Sequence, residues 1–131
     1  MIERFIEQLQ KDLELEKALK PQSPGTYTLP IDEELSVSIS ENPREIFFIA
    51  TIGKAPKNKE EIFYTRMLMG NLFGHGTYGA TLGLNDEATE LVLSHTIEAG
   101  SDYRTFKGAL EDFLNACDLW KEEIKNHSAT S

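Results

Sequence analysis

Apolar side chains at Ile2, Phe5, Ile6, Leu9 and Leu13 recur at steps of three and four, with Glu3, Glu7, Lys11, Asp12 and Glu14 between them. That spacing gathers the apolar set on one side of an α-helix, predicted over residues 1–19 and ended by Pro21. Gln22-Ser23-Pro24-Gly25 has turn composition. Tyr27, Leu29 and Ile31 then alternate with polar or small residues as a first strand, which Pro30 places at a sheet edge or ends. Leu35 to Ser40 alternates strictly, the pattern of an antiparallel strand with serines facing water. After the turn Asn42-Pro43-Arg44, Ile46 to Ile52 is apolar at nearly every position, which predicts a strand covered on both faces or paired centrally.

Gly53 to Lys57 reads as a loop, and Asn58 with Glu61 three residues later resembles a capping box that opens a second helix. On a helical wheel, Ile62, Phe63, Tyr64, Met67, Leu68, Met69, Leu72 and Phe73 leave no wide polar face. A helix apolar all round must be covered all round. One domain of this length offers it a single sheet face, so a second chain is the simplest cover. Tyr78, Ala80, Leu82 and Leu84 predict a strand beyond the loop Gly74-His75-Gly76-Thr77. Leu91, Leu93 and Ile97 predict its hairpin partner. Gly100-Ser101-Asp102 supplies N-cap chemistry for a last helix bearing Tyr103, Phe106, Leu110, Phe113, Leu114, Cys117, Trp120 and Ile124. The order α-β-β-β-α-β-β-α, with helices packed on a mostly antiparallel twisted sheet, is an α+β class. The reading is one domain over residues 1–125, dimeric, with a polar, frayed tail at 126–131.

Composition narrows the function. The chain has 131 residues, enough for one domain and one core. Its 13 Lys plus Arg against 22 Asp plus Glu give a net charge of −9, which repels phosphate backbones and anionic lipids. Nucleic-acid binding and membrane insertion are therefore not expected. A single cysteine, Cys117, suits a reducing compartment. Acids mixed into the first apolar residues are unlike a signal peptide, and no apolar run approaches the ~20 residues that cross a bilayer. A cytoplasmic, soluble protein is expected.

No catalytic constellation emerges. Gly74-His75-Gly76-Thr77-Tyr78-Gly79 matches GxGxxG. A dinucleotide fingerprint needs a strand before it and a helix after it, and the order here is reversed. These glycines are expected to serve a helix-to-strand loop and close chain approach. His75, His95 and His127 show no metal-ligand spacing. Ser94 and His95 point to opposite faces of a strand, which disfavours a nucleophile and base pair. Cys117 lies on the apolar stripe of the last helix and reads as a buried structural thiol. Asp86-Glu87 and Glu122-Glu123 fit a turn and a solvated helix face. No metal or cofactor is expected.

The helix opening at Met1, the alternating strand from Leu35 to Ile39, the runs Met67 to Phe73, Gly79 to Leu84 and Leu91 to His95, and the Phe106, Phe113, Trp120 helix together resemble class I type III secretion chaperones, the Tir-chaperone-like family. The resemblance covers about residues 1–125 and rests on a diffuse hydrophobic pattern. It implies a small, acidic, cytoplasmic bacterial protein that is not an enzyme and dimerises with itself or with a related chaperone. Such a protein binds the N-terminal segment of a secreted effector or gatekeeper, holds it extended, and delivers it to the secretion apparatus. The resemblance assigns client contact to Ile2, Phe5, Ile6, Leu9, Leu29 and Val37, and dimerisation to Phe63, Met67, Leu68, Leu72 and Tyr78. Two other readings stand beside it: an interaction module of the same fold serving a partner unrelated to secretion, and a small enzyme using His75 or His95.

Overall fold

The computed structural model describes residues 2–14, 19 and 21–129. Its elements are α1 (Ile2–Asp12), β1 (Pro21–Ser23), β2 (Thr26–Pro30), β3 (Ser36–Glu41), β4 (Glu45–Lys54), α2 (Glu60–Asn71), β5 (Thr81–Leu84), β6 (Glu90–Glu98) and α3 (Tyr103–Ala129), with a 3-10 turn at Leu72–Gly74. The architecture is α+β, as expected. All six strands form one antiparallel sheet in the order β1-β2-β3-β4-β6-β5.

Cross-strand register lines up one face of the sheet as Tyr27 and Leu29, Val37 and Ile39, Ile46, Phe48 and Ala50, Leu82, and Leu91 and Leu93, all buried. Ile2, Ile6 and Leu9 of α1 and Phe106, Leu110, Phe113 and Cys117 of α3 join them in the core. Phe48 sits at its centre, stacked on Phe113 at 5.7 Å and edge-on to Phe106 at 5.7 Å. Among the described residues, no helix covers the opposite face of the sheet. Thr51 and Ile49 are exposed there, so β4 is paired centrally but covered on one face only. Its near-continuous apolar run reflects Phe47 and Ile49 on the outer face, flanked by serines and threonines.

Three of the four hairpin turns share one device, an Asx oxygen that accepts two backbone N–H groups in place of a ladder partner. Asp32 Oδ1 accepts from Glu34 and Leu35, and Asn42 Oδ1 from Arg44 and Glu45, all at 2.8 Å. Asn85 Oδ1 accepts from Thr89 at 2.8 Å and Glu90 at 2.9 Å. At the start of α3, Asp102 Oδ1 caps the Thr105 N–H at 2.8 Å, as its position predicts.

The sequence expectations need correcting in five places. The regular helix α1 ends at Asp12, and Glu14 turns left-handed at φ 52°; the expected continuation over residues 15–18, like the expected start at residue 1, lies outside the described residues. The segment around Pro21 forms a short edge strand, too polar and too exposed to show in an alternation pattern, and Gly25 at φ 75° turns it into β2. Asn58 does not cap α2. Lys59, left-handed at φ 48°, occupies that position without a side-chain bond, and the Asn58 carbonyl instead accepts from His127 Nε2 at 2.7 Å. The strand after the glycine loop starts at Thr81, because Tyr78 and Gly79 are both left-handed. The segment read as a frayed tail continues α3 to Ala129 with His127 buried, its ring 5.1 Å from that of Phe63.

Candidate partner-binding surfaces

The helix without a polar face is divided along its length into two apolar stripes with different uses. Phe63, Met67 and Gly70 turn inward. Phe63 is fully buried, edge-on to Trp120 at 6.2 Å, and Met67 joins the same core. Outward, Ile62, Leu68, Met69 and Leu72 are exposed, Leu68 at 72% and Leu72 at 60%. The loop that follows adds Phe73 at 88% and Tyr78 at 55%. Of the five residues assigned to dimerisation, Leu68, Leu72 and Tyr78 therefore lie on the surface, whereas Phe63 and Met67 are used inside the protomer. Ile62, Met69 and Phe73 complete the exposed patch. All three are on the apolar wheel, and only the direction of the inward stripe, set by Trp120, separates them from Phe63.

The glycine motif builds the loop that presents this patch. A Cβ on Gly70 would lie 2.7 Å from Trp120 Cζ2, one on Gly76 2.8 Å from Gly70 Cα, and one on Gly74 2.9 Å from Gly79 Cα. Distances this short admit no side chain. The Gly76 N–H donates to Gly70 O at 3.0 Å and the Gly76 carbonyl accepts from Trp120 Nε1 at 2.8 Å, so helix end, loop and α3 meet at one point. Phe73 and Tyr78 take left-handed φ of 55° and 54°. Bulky residues adopt that region only where the surroundings enforce it, and here the result is two aromatic rings held in solvent. The glycines thus serve chain approach, as their reversed context suggested.

At the other end of the molecule, five of the six residues assigned to client contact lie in the chain's own core: Ile2, Ile6, Leu9, Leu29 and Val37 are buried. Phe5 is half-buried, its ring 5.0 Å from Phe106 and 5.9 Å from Tyr103. On that flank the Tyr103 hydroxyl donates to Asp12 Oδ2 at 2.7 Å and Lys107 Nζ lies 3.4 Å from the same oxygen, tying α1 to α3. Those contacts hold the Asp12 carboxyl below its ordinary range, with the tyrosine hydroxyl the larger cause. On the opposite flank, burial and then the carboxylates of Glu3, Glu7 and Glu41 push the Tyr27 phenol up. The α1 side of the sheet edge is therefore acidic.

No cluster of three or more His, Cys, Asp or Glu among the described residues is placed to hold a metal ion. His95 is half-buried on β6, 6.4 Å from the Phe48 ring, and His75 is exposed beside Phe73. Cys117 is buried, and burial, followed by the neighbouring Asp118, pushes its thiol up to about 12. A thiol so protonated is not a nucleophile. Among the described residues, no helix is long and apolar enough to cross a membrane.

The chain resembles known proteins over most of its length. It is 29% identical over 126 residues to a Chlamydia pneumoniae protein, covering 95% of this chain and 96% of that one. Its fold matches a structure in the ExsC–ExsE complex with a TM-score of 0.76 at 16% identity, over 94% of this chain and 92% of the other. It also matches one in the HopA1–SchA chaperone–effector complex with a TM-score of 0.72 at 18% identity, over 92% and 93%. The sequence profile of the Tir chaperone protein (CesT) family matches residues 4–121. With that profile spanning both helical flanks and the whole sheet, this chain belongs to the Tir chaperone protein (CesT) family, the class I type III secretion chaperones.

Proposed function

We propose that this chaperone works in the bacterial cytoplasm as a dimer that binds the N-terminal segment of a secreted effector or gatekeeper in extended form and keeps it competent for delivery to the secretion apparatus. The observation that carries the dimer is the outward stripe of α2 with its loop. Six large apolar side chains, Ile62, Leu68, Met69, Leu72, Phe73 and Tyr78, stand exposed together. Contiguous apolar patches beyond a few hundred Å² on a soluble chain mark interaction sites, and a stable interface needs about 800 Å² per partner. A second copy, or a related chaperone, laid on α2 supplies that area.

Client contact is assigned to the α1 end. A strand added at the β1 and β2 edge satisfies its own backbone polar groups while alternate side chains enter pockets. The accessible Phe5, the shallow surface it forms with Arg4, Gln8 and Tyr103, and the backbone of β2 are the contact elements. Ile2, Ile6, Leu9, Leu29 and Val37 form the floor beneath them. Glu3, Glu7 and Glu41 favour a segment carrying Lys or Arg. Ordering such a segment costs several kcal/mol, which an interface of about 1,500 Å² offsets.

The test separates the two stripes of α2. Leu68→Glu with Leu72→Glu should reduce the mass in light scattering to one chain while far-ultraviolet circular dichroism is kept. Met67→Glu, which puts a charge in the core, should unfold the protein. Phe5→Asp should keep the dimer but lose co-purification of the secreted protein whose export depends on this chaperone. A wild type that is monomeric at micromolar concentration would refute the dimer, and undiminished co-purification of Phe5→Asp would refute the client surface.

A further inference from the structure

We propose that the Asn71 side chain closes the β5 edge of the sheet, so that an added strand is directed to the β1 and β2 edge, one strand per protomer. The consequence for the client rests on the strand-addition reading above; the closure itself does not.

A sheet of six strands has two edges, here β1 and β5. On β5 the pairs Thr81 with Ser94 and Gly83 with Val92 follow the same parity as Asn85, whose N–H donates to Glu90 O at 3.0 Å. In an antiparallel ladder the alternate residues then direct their N–H and C=O away from the neighbouring strand. Leu82 is such a residue. Its N–H donates to Asn71 Oδ1 at 2.7 Å and its carbonyl accepts from Asn71 Nδ2 at 2.9 Å. The carboxamide thus makes both bonds that an opposing strand residue would make. Its orientation is unambiguous, because a backbone N–H can only donate. One step earlier in the same row, Ala80 is served by Thr77: the Ala80 N–H donates to the Thr77 carbonyl, and the Thr77 hydroxyl donates to the Ala80 carbonyl. Two successive outward positions are occupied by side chain and turn, which leaves Leu84 alone, too short a run to template a strand. Exposed edges are a standing hazard for unwanted pairing, and this one adjoins the apolar patch of α2, where a sticky edge would be most damaging.

Among the described residues, no side chain bonds the outward backbone of the other edge in this way. The Pro21–Ser23 strand pairs with Thr26 and Tyr27 of β2. Gly25 and Ile31 bond toward β3, accepting from Glu41 at 3.1 Å and donating to Leu35 at 2.9 Å, so by parity Thr28 faces outward. The phenol of the adjacent Tyr27 lies in the field of the Glu3, Glu7 and Glu41 carboxylates, so negative charge gathers on this side of the sheet, which suits an extended basic segment.

Amide hydrogen exchange on the full-length wild type and on Asn71→Val decides the matter without any client. In the wild type the Leu82 amide should be protected like an amide inside the ladder. In Asn71→Val it should exchange about tenfold faster, the equivalent of one net hydrogen bond. The mass of Asn71→Val in light scattering should also rise with concentration above that of the wild type as freed β5 edges pair. A wild-type Leu82 amide that exchanges as fast as an exposed loop amide overturns the proposal. A folded Asn71→Val that keeps the wild-type mass at every concentration also overturns it. If Asn71→Val does not fold, the wild-type exchange rate alone decides. A basic peptide that bound without slowing exchange at Thr28 would refute strand addition and leave the closed edge standing.

Discussion

Gly70→Ala sets two effects of opposite sign against each other. In a helix interior the substitution ordinarily stabilises by roughly 0.5–1 kcal/mol, since alanine loses less backbone freedom. Here the new methyl would sit 2.7 Å from Trp120 Cζ2 and 3.3 Å from Cη2. The indole has nowhere to go: Phe63 stands edge-on at 6.2 Å and Nε1 is tethered to the Gly76 carbonyl at 2.8 Å. Inserting a methyl into such a site costs about 1–3 kcal/mol, and breaking the tether leaves a carbonyl unpaired for about 1 kcal/mol more. The net expectation is a loss of about 1–3 kcal/mol, a fall in Tm of roughly 5–15 °C for a domain of this size. Urea unfolding at one fixed protein concentration measures it, because association would otherwise shift the midpoint. Repeating the substitution in a Trp120→Phe background removes the clashing atoms, so the cost should shrink by about 1 kcal/mol or more in a double-mutant cycle. A Gly70→Ala protein that is more stable than wild type, or a cycle additive within about 0.5 kcal/mol, would refute the three-way crossing.

Acid should act through three carboxyls held below their ordinary 3.8: Asp12 by Tyr103 and Lys107, Asp32 by the Glu34 N–H and then Lys121, and Asp102 by Thr105. A depressed folded value stabilises above the unfolded one and is lost as pH falls through it. The urea midpoint should therefore hold from neutrality to about pH 4 and drop below that, less steeply in Asp12→Asn. His127→Ala removes the donor to the Asn58 carbonyl and the contact with Phe63, and should cost about 1–3 kcal/mol in thermal or urea unfolding. Deleting residues 126–131 should do at least as much harm, whereas a frayed tail would be removed without effect.

The parts legible in the sequence are those where one periodicity acts alone. The three-four spacing of Ile2, Ile6 and Leu9, the strict alternation through Val37 and Ile39, and the Asp102 cap each correspond to an observed element. What stayed hidden depends on tertiary partners. Asn58 looks like a cap until His127, 69 residues away in the chain, takes its carbonyl. The polar end of α3 looks like a tail until Phe63 offers His127 a place to pack. The wheel of α2 carried the most functional information. It led to the expectation of cover on every side, but it could not show which side the chain covers itself, because that depends on Trp120 and on glycines that admit its ring. At α1 the same limit works in reverse: an amphipathic stripe looks the same in sequence whether it is buried at home or offered to a visitor.

Because α2 keeps its homeward residues and its outward residues on separate stripes, the two can change independently over generations. Relatives should preserve the volume at Phe63, Met67 and Gly70 while the characters at Leu68, Met69, Leu72 and Phe73 drift together with those of whatever they press against. If the proposed dimer forms on that stripe, exchanging one mate for another requires a handful of outward substitutions and no refolding, and leaves the α1 end, where the client is assigned, untouched.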